Sequence, residues 1–181
     1  MGFQAPCKDS VKRPVNALFG PPDVGAPAFR WAGWGLALAP TALLVGLLAL
    51  PPFVGEGPRA LLMALFDPVC HQLPARSFAV GSVPFAVCHR CTGVLGGLLL
   101  GVLLVPLLRA SRWSSATVRV GLLAALVPMA LDWSLDALGW WGNAPASRFG
   151  TGLVFGLAAG LTFARALALP SPPAGGPAAS S

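Results

Sequence analysis

The chain contains no tyrosine, and only 10% of its residues are charged. A soluble domain of ordinary composition carries about a quarter charged residues. That shortage, set beside a hydrophobic content of 55%, excludes a water-soluble globule and points to a polytopic membrane protein of one domain. Acid is the scarcer charge, with six Asp and Glu against twelve Lys and Arg for a net +6. Such a balance can mark a nucleic-acid binder. Here Lys8, Lys12, Arg13, Arg30, Arg109, Arg112 and Arg119 stand in tails and loops beside apolar runs, where orientation during insertion accounts for them. No nucleic-acid partner is expected. An apolar core is also missing from residues 1–30, so no cleavable signal peptide is expected there. Those residues read as a disordered cytoplasmic tail, and Cys7 has no apolar run before it to support a lipoprotein. No inverted repeat of the transporter kind is evident.

What is present is apolar helix. Four spans are expected, at about 31–50, 92–108, 118–138 and 149–169, giving an all-α polytopic membrane domain over 31–169. Trp31 and Trp34 read as interfacial anchors of the first span, Pro40 as a kink within it, and Pro51-Pro52 as its end. Residues 58–69 form an apolar helix too short to cross, lying in the interface or dipping in and returning. The stretch 70–91 reads as an irregular Cys/His loop, because Gly81 and Pro84 argue against a regular helix. Irregular apolar backbone needs protein rather than lipid around it. Residues 170–181 are a Pro/Ala/Gly/Ser tail. Gly93, Gly97 and Gly101 form one small-xxx-small ridge, and Gly152, Gly156 and Gly160 form another, so the second and fourth spans should pack together. Four spans with the basic residues inside leave both termini cytoplasmic and the Cys/His loop facing out.

Chemistry concentrates between Cys70 and Gly93, which hold three of the four cysteines and both histidines. Thiolate and imidazole are the donors a transition metal prefers, and Cys88-x-x-Cys91 lets one turn present two sulfurs to one ion. Three thiolates plus one imidazole close a tetrahedral shell. The expected set is Cys70, Cys88 and Cys91 with His71 or His89 around zinc or a similar ion. His71 is preferred, with His89 facing solvent. Gln72 reads as a neighbour of the metal shell or of a substrate carbonyl. Asp132 and Asp136 lie on one face of the third span, where carboxylates need compensation. They fall at the same membrane face as Arg76, Arg90, Asn143 and Arg148. Those arginines either pair with the two carboxylates or form an anion-binding pocket beside the metal.

The order Cys70-His71-Gln72, Arg76-Ser77-Phe78 and Cys88-His89-Arg90-Cys91-Thr92-Gly93 resembles an uncharacterised family of small prokaryotic membrane proteins known only as a domain of unknown function. Pro128-Met129 with Asp132, and Arg148 with Thr151-Gly152, extend the resemblance. His89 stands where a small residue would be expected. The resemblance implies a multi-pass fold in the cytoplasmic (inner) membrane and supplies no activity. In outline only, a helical bundle with C-x-x-C at a helix start and a further loop cysteine also resembles membrane thiol oxidoreductases of the vitamin K epoxide reductase type.

Three functions follow as expectations. The first is a metal site, either closed and structural or open and acting on a lipid or anionic headgroup. The second is thiol–disulfide exchange at Cys88 and Cys91. The third is a small oligomeric transporter using Asp132, Asp136 and the Pro128 kink. The lipid bilayer is the one partner all three share.

Overall fold

A computed structural model describes residues 29–108 and 115–169. The expected tails, apart from Phe29 and Arg30, and the loop residues Arg109 and Arg112 lie outside the described residues, as does Cys7. The elements in order are α1 (Trp31–Ala49), α2 (Glu56–Phe66), β1 (Ser77–Val80), β2 (Val83–Cys88), α3 (His89–Leu104), α4 (Ser115–Ala137) and α5 (Pro145–Ala168). Among the described residues, three helices are long and apolar enough to cross a bilayer: α1, residues Thr117–Ala137 of α4, and α5. The second expected span, 92–108, corresponds to α3, a shorter apolar helix of 16 residues. It starts at His89, three residues before the expected Thr92, because Cys88 already has the extended backbone of a helix cap, with φ −71° and ψ 166°. Helices α1 and α4 continue unbroken through Pro40 and Pro128. Beside Pro40, the Thr41 hydroxyl donates to the Ala37 carbonyl at 2.9 Å, adding a partner where proline disturbs the ladder.

The fold departs from all-α between Ser77 and Cys88. The expected irregular loop is an antiparallel hairpin, with Ser77 opposite Cys88 and Val80 opposite Val83. Gly81, at φ 62°, takes the first position of the tight turn, where a side chain would be strained. Its peptide groups are thus paired within the hairpin itself, answering the demand that irregular backbone could not meet.

Helices α3 and α5 run parallel and touch backbone to backbone. A Cβ added at Gly93, Gly97 or Gly101 would collide with the carbonyls of Phe149, Leu153 and Leu157, and one at Gly152, Gly156 or Gly160 with those of Arg90, Val94 and Leu98. The two rows therefore interdigitate, each helix's glycines receiving the other's carbonyls. Helix α1 is antiparallel to both. Trp34 donates its indole N–H to Val102 O at 2.8 Å, and Arg30 N–H bonds Ala168 O at 2.9 Å. Trp34 is thus a bundle contact rather than an interfacial anchor, whereas Trp31 is 65% exposed. Gly33, against the Leu167 carbonyl, gives α1 its own close approach to α5. Helix α4 lies antiparallel along α5.

Two apolar clusters fix the ends of the bundle. Ala37, Val102, Val105 and Ala164 pack one end. Leu48, Phe66, Cys70, Ala86 and Val87 pack the other, joining α1, α2 and the hairpin. The second cluster is the platform of the site.

Candidate metal centre

Each cysteine arrives by a different local device. Cys70 follows α2, whose final turn bonds Cys70 N–H to Phe66 O at 3.0 Å. Beyond it the chain turns through Gln72 at φ 49°, a left-handed conformation unusual for a non-glycine residue. The strain is held by the Gln72 side chain, whose amide donates to Met63 O at 2.6 Å. Gln72 therefore pins the loop to α2. Cys88 ends β2 and caps α3, and Cys91 sits one turn along that helix.

The three sulfurs lie within 4.8 Å of one another, all as free thiols. A tetrahedral ion bound at about 2.3 Å sets its sulfurs about 3.8 Å apart, so small side-chain rotations suffice to enclose one. The Cys88 backbone N–H donates to Cys70 Sγ at 3.2 Å, which fixes the position of that sulfur beside the start of α3. A hydrogen bond from the Cys91 thiol brings the Cys88 thiol down to about 4, against the opposing cost of burial, with the Cys91 and Arg90 backbone and the Cys70 thiol adding to the pull. Cys88 is therefore a ready ligand or nucleophile at neutral pH. Of the expected ligands, the structure gathers the three cysteines. His71 is exposed and lines the adjoining cavity, but its ring nitrogens lie outside the thiol group.

Adjacent to the sulfurs is a cavity of about 430 Å³, lined by Cys70, Cys88, Cys91, His71, Gln72, Arg76, Arg90 and Asp136, with Val69, Leu73 and Trp133 completing its wall. The expected polar residues converge behind it. Arg90 Nη2 donates to Asp132 Oδ2 at 2.6 Å. Asn143, placed by sequence only at the same face, donates to that same oxygen at 2.8 Å and to Asp132 O at 3.2 Å. Asp136 faces Arg148 at 3.6 Å and Arg76 at 4.0 Å. Three guanidinium groups thus meet two carboxylates, leaving one positive charge in excess.

His89 is not at the solvent surface as expected but buried, 6% exposed, with its ring edge-on to Phe78 at 4.4 Å between centroids. Its placement follows from the hairpin, which folds Phe78 back over the start of α3. Without the hairpin, sequence alone had no residue to cover it. The signal was available: apolar runs on both sides of Gly81-Ser82 are a hairpin pattern.

Long apolar helices with a trithiol pocket and an Arg–Asp network at one end define a multi-pass helical membrane protein. The chain belongs to the family described as "Predicted membrane protein (DUF2085)", which matches residues 70–162 and so takes in every cysteine, histidine, arginine and aspartate of the site and none of α1 or α2. It is 34% identical over 95 residues to an uncharacterised protein of Methanocaldococcus jannaschii, a match covering 52% of this chain and 61% of that one. It is 33% identical over 95 residues to an uncharacterised protein of Methanothermobacter thermautotrophicus, covering 51% of this chain and 81% of the relative. The match thus spans less than two thirds of the Methanocaldococcus protein. No solved structure matches.

Proposed function

We propose that the protein carries a zinc-type metal centre at the outer face of the cytoplasmic membrane, bound by Cys70, Cys88 and Cys91, with His71 as a labile fourth ligand. The observation that carries this reading is the approach of Cys70, from the loop after α2, to within 4.8 Å of the two sulfurs at the start of α3. Packing alone does not require the distant Cys70 to join the Cys88–Cys91 pair. A bound ion of this kind supplies Lewis acidity toward a ligand that displaces the fourth donor. The chain's own residues do the rest. Cys88 N–H steadies the Cys70 sulfur, Gln72 fixes the turn that puts His71 on the cavity wall, and Arg76 and Arg90 offer that cavity positive charge. The ligand class is an anion.

Four spans are part of the proposal. Helix α3 follows α5 in parallel from Gly93 beside Phe149 to Gly101 beside Leu157, so it occupies the same depth wherever α5 crosses. The positive charge before α1 and between α3 and α4 supports a cytoplasmic position for those segments and an outward one for the cysteine end. The low-lying Cys88 thiol favours a second reading, thiol–disulfide exchange at Cys88 and Cys91.

Metal analysis of detergent-purified protein tests the choice. One equivalent is expected in the wild type, with loss in Cys70→Ser, Cys88→Ser and Cys91→Ser. His71→Ala should keep the ion but bind it about tenfold more weakly. Metal-free protein with a Cys88–Cys91 disulfide would overturn the metal reading in favour of the redox one.

A further inference from the structure

We propose that the cavity beside the cysteines takes an amphiphile with an anionic, phosphate-type headgroup, entering sideways from the lipid phase, and that Arg76 holds the head. This deepens the reading above. It rests on the cysteine end lying at the membrane surface, and not on the metal.

The cavity has two kinds of wall. Arg76 and Arg90 bring positive charge to its lining, whereas Val69, Leu73 and Trp133 bring large apolar side chains. Those three apolar side chains line the cavity and yet face outward, at 74%, 49% and 59% exposure. They therefore form its lip. A pocket built for a soluble anion would open through polar residues, since an apolar lip costs hydration and repays nothing to a small ion. The depth of the lip agrees. Trp133 lies on the part of α4 that is apolar enough to be a span, one turn before Asp136, and tryptophan favours the boundary between headgroup and hydrocarbon. On the other side of the opening, Leu61 and Leu65 are exposed one turn apart on α2, while Leu62 and Phe66 are buried. A helix that buries one edge in protein and shows an apolar edge outward lies in the interface. It leads directly to Val69. The opening is thus flanked by two surfaces that belong in lipid.

The charges single out Arg76. Arg90 is committed to Asp132 at 2.6 Å, with its side chain 21% exposed. Arg148, 13% exposed, faces Asp136 at 3.6 Å and neutralises the one carboxylate on the cavity wall. Arg76 stands 4.0 Å from Asp136 and is 51% exposed, so it is the cation free to turn to a headgroup. A guanidinium meets phosphate oxygens in a two-pronged geometry that a single ammonium does not offer. The tail leaves between Val69 and Trp133.

Native mass spectrometry of the full chain in detergent, offered phosphatidate, phosphatidylcholine or inorganic phosphate, tests the inference. One phosphatidate per chain is expected to survive, with phosphatidylcholine retained about tenfold less and Arg76→Gln weakening phosphatidate about tenfold. Arg76→Lys should recover part of the loss. Because Arg76 is half-exposed and loosely paired, the variant should fold, and an unchanged melting temperature checks this. Equal retention of phosphatidylcholine, or of phosphatidate by Arg76→Gln, would overturn the inference. So would inorganic phosphate displacing phosphatidate at equal concentration, which would make the pocket a soluble-anion site. Metal content read on the same samples separates the two claims. Phosphatidate held by metal-free protein refutes the metal centre and supports this site, whereas metal without phosphatidate does the reverse.

Discussion

Replacing Asp132 by alanine removes one oxygen on which two buried donors converge. Arg90 reaches Asp132 Oδ2 at 2.6 Å and Asn143 reaches it at 2.8 Å, and the Asp132 side chain is only 7% exposed. Deleting it strands a mostly buried guanidinium whose Nε already lacks a partner among the described residues. Breaking a buried ion pair from one side costs about 3–5 kcal/mol. Asp136 is the contrast. Its side chain is 23% exposed and its cations stand at 3.6 and 4.0 Å, a geometry worth less than about 1 kcal/mol. Asp132→Ala should therefore lose about 2–4 kcal/mol more than Asp136→Ala, measured as the shift in unfolding midpoint when detergent-purified protein is titrated with a denaturing detergent. Neutral interhelical hydrogen bonds in membrane proteins average only about 0.6 kcal/mol, so the size of the difference reports the charge. Asp132→Asn, which keeps an acceptor for Arg90, should fall between. In the cycle with Arg90→Ala, the double variant should be milder than the two losses summed, by about 0.5–3 kcal/mol. Strict additivity, or equal losses at the two aspartates, would refute the pairing as the force that holds α3, α4 and the Asn143 loop together.

Two further outcomes are expected. Gly97→Ala should destabilise by about 1–3 kcal/mol through overpacking, since its methyl would meet the Leu153 carbonyl, while Gly96→Ala, with nothing within 4 Å, should be neutral or gain up to about 1 kcal/mol from helix propensity; the same denaturing-detergent titration reads both. A topology reporter fused after Gly142 should read external and one after Leu169 cytoplasmic, and a cytoplasmic signal after Gly142 would remove the outward site.

The parts of the fold with a local signature are the ones a single sequence shows. A helix in lipid needs a long apolar run, and Trp31 to Leu50 and Phe149 to Leu169 are long and apolar enough to supply one. Close backbone approach needs small residues every four positions, which ties the rows beginning at Gly93 and Gly152 to each other. Carboxylates at 132 and 136 demand cations, and the candidates were few. What stayed hidden depends on distant partners. The burial of His89 is decided by Phe78, which the hairpin carries over it. The role of Trp34 is decided by Val102, sixty-eight residues away in sequence. Gln72 looked like a chemical residue because it neighbours Cys70 and His71. Its left-handed backbone and its bond to Met63 make it a clamp, and no spacing rule announces either. His71 illustrates the same limit: adjacency to a cysteine in sequence does not bring both side chains to one point in space.

The parallel pairing of α3 with α5 also sets a timetable for biogenesis. Helix α3 carries Cys88 and Cys91 at its start, but the surface that its glycines close upon is synthesised two helices later. A nascent chain that has released α3 and α4 still shows a furrow of exposed carbonyls where α5 will sit, and it lacks Arg148 opposite Asp136. The helix that carries Cys88 and Cys91 gains its closest neighbour only when α5 has been made and docks against it. On the proposed metal reading, an ion captured before α5 docks would meet a helix that is not yet held in its final place. The glycine rows thus serve as a checkpoint in assembly as well as a contact in the finished protein.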